Sequence, residues 1–232
     1  MCLRTEDRLL DKSRMRAIPP ILLAAYAVTL LALGVVVVLS SQMGIPLTSF
    51  LYDPVRVLGT PSAPAQPYVG LFSNIGVLLW CASAAICFLS AGVLPTVAYA
   101  EWRRFFWFSG LVSSVLLLDD FFLVHESASE IYWRVTEEVV FALYGVMIVA
   151  FLVKCRATIL KTEFLPLILA FGFMGLSLVV DQLFDSGGNL SDPAVVLVED
   201  GAKLFGIVSW LVYFSRVAIE QLRGWAVVGH NT

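Results

Sequence analysis

Apolar residues in this chain come in long unbroken runs, not in alternation and not as single amphipathic stripes. A run of about 20 apolar residues makes a helix that crosses a bilayer core of roughly 30 Å. The first run opens behind Pro19 and Pro20 and reaches about Leu39. It is longer than the apolar core of a cleaved signal peptide and ends without a small-residue cleavage pattern, so it reads as a retained helix. The second runs from about Tyr68 to Leu94, is rich in Ala, Ser and Gly, and breaks at Pro95. Small residues of this kind let helices pack closely in lipid. The third starts behind Glu101, Trp102, Arg103 and Arg104 and reaches about Val124. The fourth runs from about Val135 to Val153 and stops at Lys154 and Arg156; the fifth runs from about Phe164 to Phe184. Ser191-Asp192-Pro193 is a helix-start signal, a cap residue ahead of a Pro in the first turn, and opens a sixth helix to about Phe214.

The pattern predicts an all-α, polytopic helical membrane protein with six transmembrane helices. Residues 1–17 form a basic cytoplasmic tail, residues 18–215 a single six-helix transmembrane domain, and residues 216–232 a cytoplasmic C-terminal tail. The 41–67 connection is punctuated by Gly44, Pro46, Pro54, Gly59, Pro61, Pro64 and Pro67. Connections of this length are lids or binding loops, or carry a short helix of their own. A lid over an outer pocket is expected.

Composition agrees with the pattern. Of 232 residues, 59% are hydrophobic and only 14% are charged, too little polar surface for a soluble domain of this length. There is no basic stripe with interleaved aromatics, so nucleic acid is not an expected partner; the lipid bilayer is. The net charge of −3 conceals an asymmetry. Basic residues sit in the N-terminal tail, in the second-to-third connection (Arg103, Arg104), in the fourth-to-fifth (Lys154, Arg156, Lys161) and after the sixth helix (Arg216, Arg223). The other connections hold only Arg56 and Arg134. Positive residues stay inside, so both termini are expected in the cytoplasm, in a plasma or bacterial inner membrane.

The candidate chemistry lies in acids carried inside the apolar runs. Asp119 and Asp120 lie near the end of the third run, followed by His125 and Glu126; Glu137 and Glu138 open the fourth. Asp181 lies late in the fifth, and Glu199 and Asp200 early in the sixth, with Lys203 four residues beyond Glu199. Ionisable residues inside a membrane are costly and mark functional sites. Arg104 to Asp120, Lys154 back to Glu138 and Arg216 back to Asp200 each span about 24 Å of helix. All these acids are thus expected at one level, roughly 6 Å below the outer surface of the core. Asp119 and Asp181 stand 62 positions apart, as do Glu137 and Glu199, and Lys154 and Arg216. Helices three–four and five–six therefore read as a parallel pseudo-repeat.

Asp119, Glu137, Asp181 and Glu199 are expected to converge as an inner ring, with Asp120, His125, Glu126, Glu138 and Asp200 around it. Lys203 compensates part of this charge; the remainder calls for protons, cations or water. An oxygen-rich set with one His favours a divalent metal ion, iron, manganese, magnesium or calcium, over a sulfur-type zinc site. The reading that follows is a metal-dependent membrane enzyme acting on a lipid or small-molecule substrate. The alternatives are a cation- or proton-coupled transporter or channel, and a non-catalytic accessory membrane protein. HESASE lacks the second His of a metalloprotease HExxH and is not read as one.

Overall fold

The computed structural model of the chain describes residues 19–52, 54, 66–124, 134–185 and 192–229. Among them the protein is all-α, with seven helices: α1 Pro20–Met43, α2 Thr48–Leu51, α3 Leu71–Val93, α4 Ala100–Phe122, α5 Glu137–Ile159, α6 Leu165–Asp185 and α7 Pro193–Gly229. Five are long and apolar enough to cross a membrane: α1, α3, α4, α5 and the Leu165–Phe184 stretch of α6. The protein is thus a multi-span membrane protein. The sixth expected span corresponds to α7, which is not one of the five. Its first turns carry Glu199, Asp200 and Lys203, and its later ones Arg216, Glu220 and Arg223.

Local chemistry sets the helix ends. Pro20 opens α1, where its missing N–H costs nothing. Gly44 closes α1 in the left-handed region at φ 65°, its N–H on the Ser40 carbonyl oxygen. Leu123 takes the same conformation, φ 52°, at the end of α4 and donates its N–H to the Asp119 carbonyl oxygen. Two sequence-based boundaries move. α5 does not stop at Lys154 but runs through Arg156 to Ile159, because Lys and Arg are good helix formers and suit a helix C-terminus. α7 does not stop near Phe214 but continues through Arg216 to Gly229 as one helix of 37 residues.

The chain divides into two compact units. The first is built from residues 79–165 and 211–229: most of α3, all of α4 and α5, and the later part of α7. Its core is aromatic. The Phe105 ring lies 6.3 Å from that of Phe151 on α5 and 5.9 Å from that of Phe214 on α7. Gly110 lets α4 approach α3 closely; a Cβ there would fall 2.8 Å from the Phe88 ring. Buried hydroxyls turn back on their own helices, Ser83 to the Leu79 carbonyl oxygen and Ser109 to that of Phe105 at 2.8 Å each, which satisfies them without a partner on another helix. Leu143, Val146, Val149 and Val153 form an exposed apolar face on α5 suited to lipid.

The second unit is built from residues 19–78 and 166–210: α1, α2, the first turns of α3, α6 and the early part of α7. Tyr26, Phe173 and Phe205 pack edge to face or tilted, with centroids 5.1–5.9 Å apart. The Tyr26 hydroxyl shares a 2.5 Å hydrogen bond with Ser209. Gly206 brings α7 tight against α6, where a Cβ would meet Met174 at 2.7 Å and the Ala170 carbonyl oxygen at 3.1 Å. The 41–67 connection does carry a short helix, α2, with Phe50 and Leu51 buried. The Gly70 N–H donates to the Ser49 carbonyl oxygen at 3.0 Å, and the Phe50 ring packs 5.0 Å from Tyr68, so the ends of the connection are tied together. Residues 53 and 55–65, where the lid was expected, lie outside the described residues.

Candidate functional site

The site is built on the last turns of α4. Consecutive helical residues point about 100° apart, so Asp119 and Asp120 face different neighbours. Asp119 is buried, 6% exposed. Its Oδ1 accepts a hydrogen bond of 2.7 Å from the Tyr144 hydroxyl of α5. Asp120 Oδ2 accepts one of 2.8 Å from the indole Nε1 of Trp80, a buried residue of α3. The pair therefore fastens α4 to a helix on either side. Both donors are neutral, so they orient the carboxylates without neutralising them.

Glu137 and Glu138 open α5, where the helix dipole favours negative charge; Glu137 is half-buried and Glu138 exposed. Tyr144 lies two turns, about 10 Å, further along the same helix from Glu137. These four acids belong to the first unit. Asp181, Glu199, Asp200 and Lys203 belong to the second and are half-buried there. Glu199 Oε2 and Asp200 Oδ2 are closed off from solvent, and Glu199, Asp200 and Lys203 all have interaction partners. Gln182 donates a long 3.5 Å hydrogen bond to Asp181. His125 and Glu126 lie outside the described residues. Among the described residues, no three His, Cys, Asp or Glu side chains gather as metal ligands would.

The positions 62 apart do not share surroundings. Asp120 corresponds to Gln182, and Tyr144 to Gly206, which has no hydroxyl to give Asp181. The hydrogen bonds that fix the first aspartate pair are thus not available in the same form to its counterpart. The opposite end of the first unit holds the expected basic anchors, but with acidic partners that sequence reasoning missed. Lys161 and Thr158 donate to Glu101 at 2.7–2.8 Å, and Arg216 pairs with Glu163.

Trp80 and Tyr144 were also missed. The available signal was an indole N–H and a phenol deep inside apolar runs, each needing an acceptor. A protein-family profile described as Domain of unknown function (DUF8692) matches residues 22–217. The chain belongs to that family. The DUF8692 match runs from the first turns of α1 to beyond Arg216 in α7 and takes in Trp80, Asp119, Asp120 and Tyr144. Comparison with curated proteins and with solved structures finds no match.

Proposed function

We propose that this DUF8692 protein is a cation- or proton-coupled membrane transporter or channel in which Asp119 and Asp120 bind and release the coupling ion. The supporting observation is the burial of Asp119 inside a candidate span, with its carboxylate oriented by Tyr144. Transport needs an ionisable group held in a defined place within the membrane, and proton and cation pathways use such acids. In this reading α7 crosses the membrane as a sixth helix, both termini are cytoplasmic, and the 62-residue offset reflects a parallel repeat.

A divalent-metal centre, holding iron, manganese, magnesium or calcium and acting on a lipid or small molecule, is the second reading. It draws on the oxygen-rich set Asp119, Asp120, Glu137, Glu138, Asp181, Glu199 and Asp200 with His125 and Glu126. It stands second because no three such ligands gather among the described residues, and His125 and Glu126 lie outside them.

One preparation tests both. Purified protein in liposomes carrying an internal pH dye is given sodium, potassium, calcium or magnesium gradients. Asp119→Asn keeps shape and removes a charge, and is expected to reduce coupled proton flux at least tenfold with little change in melting temperature. Wild-type protein without ion or proton flux, but with stoichiometric iron or manganese that Asp119→Asn loses, overturns the transport reading for the metal one.

A further inference from the structure

The end of the first unit that carries Glu101 is rich in cations, and three of them are held by oxygen partners. Lys161 is held by both oxygens of Glu101, Arg216 by Glu163, and Arg103 Nη1 donates to the Leu94 carbonyl oxygen at 2.6 Å. Arg104, Lys154 and Arg156 stand outside these pairs and are exposed. Among the described residues Arg104 makes a 3.4 Å contact from Nε to the Ala100 carbonyl oxygen of its own helix, and its charge also acts on Glu101. Lys154 Nζ lies 4.1 Å from the centroid of the Phe108 ring on α4, a cation–π contact.

These two cations share one seam. α4 and α5 run antiparallel, with Glu101 beside Thr158 and Lys161, and Phe105 beside Phe151. Arg104 and Phe108 are four residues apart on one face of α4, about 6 Å along the axis, so the Lys154 ammonium sits one turn from Arg104. Helical phase carries Leu111 of α4 and Ala150 and Ala157 of α5 to the same side of the seam, while the Trp107 ring packs 5.1 Å from Phe88 of α3. Leu111 is 48% exposed, and both alanines are exposed. An apolar wall of these three residues thus lies beside the two cations.

We propose that this seam binds an anionic phospholipid, its phosphate between Arg104 and Lys154 and an acyl chain along Leu111, Ala150 and Ala157. Charge argues for the occupant. Lys154 lies near the end of its candidate span, where a headgroup phosphate can pair with its ammonium and with the guanidinium together. Basic clefts between transmembrane helices select such headgroups. The apolar wall selects a lipid over free phosphate.

The test uses the full chain in detergent, titrated with dioleoyl phosphatidylglycerol, dioleoyl phosphatidylcholine or inorganic phosphate. Thermal unfolding and native mass spectrometry provide the readouts. Only phosphatidylglycerol is expected to raise Tm and to remain bound. The double variant Arg104→Gln, Lys154→Met should bind it about tenfold more weakly or worse, and Arg223→Gln, elsewhere on the chain, should bind it normally. Equal response to both lipids, an equal response to inorganic phosphate, or wild-type affinity in the double variant overturns the proposal. So does equal weakening by Arg223→Gln. Should the double variant unfold before lipid is added, the single variants are read by retained phosphatidylglycerol, with the same criteria.

Discussion

Tyr144 and Trp80 give two carboxylates fixed positions in a part of the chain where an unsatisfied one would be very costly. Each hydrogen bond here joins a carboxylate oxygen to a neutral donor. Tyr144→Phe removes one hydroxyl and little volume, and is expected to lower stability by about 1–2 kcal/mol. Denaturant unfolding of the purified variant measures it. In a double-mutant cycle with Asp119→Asn the two effects should not add, whereas Tyr144→Phe and Trp80→Phe should add more nearly, since they act on different carboxylates. Asp119 and Asp120 were legible in the sequence because charge interrupts an apolar run. Their donors were not, because an indole or phenol hardly disturbs hydropathy and its partner is distant in sequence.

Helix packing turns on glycines whose roles the sequence leaves open. Gly206 lets α7 lie against the Ala170 carbonyl and Met174 of α6. Gly206→Val should therefore overpack this contact and cost about 1–3 kcal/mol or more. Gly145→Ala is the contrasting case. Nothing lies within 4 Å of the added Cβ, and Ala is the better helix former, so stability should hold or rise by up to about 1 kcal/mol. Equal Tm loss in the two variants would contradict the packing described. Helix existence was legible from the apolar runs. Helix ends were less so: at α5 and α7, basic residues that mark a membrane boundary do not stop the helix.

At the scale of the whole molecule, α7 is the element that departs most from expectation. Its 37 residues extend about 55 Å, well beyond a hydrocarbon core of about 30 Å, and it contributes to both compact units. The proposed orientation with both termini cytoplasmic makes a direct prediction. A cysteine at Gly188 should react with an impermeant maleimide added to intact cells, above the background of the native cysteines. Labelling only after permeabilisation would reverse the assignment. The basic residues that motivate this orientation include Arg103, Arg104, Lys154, Arg156, Lys161 and Arg216, all drawn from the first unit.

Hydrophobic length by itself determined that this is an all-α, multi-span membrane protein, because only a helix satisfies its own backbone in lipid and only long apolar runs cross it. Charge in those runs singled out Asp119 and Asp120. Tertiary structure decided which groups hold them. Asp119 meets Tyr144 across 25 positions of sequence and Asp120 meets Trp80 across 40, through contacts set by helix phase and register. It also decided that Glu101 and Glu163 accompany the basic anchors, and that the aspartates 62 positions apart have different surroundings. The physical reason is common to all of these. Periodicity and hydropathy are properties of one helix, whereas a hydrogen bond or a close glycine contact belongs to two.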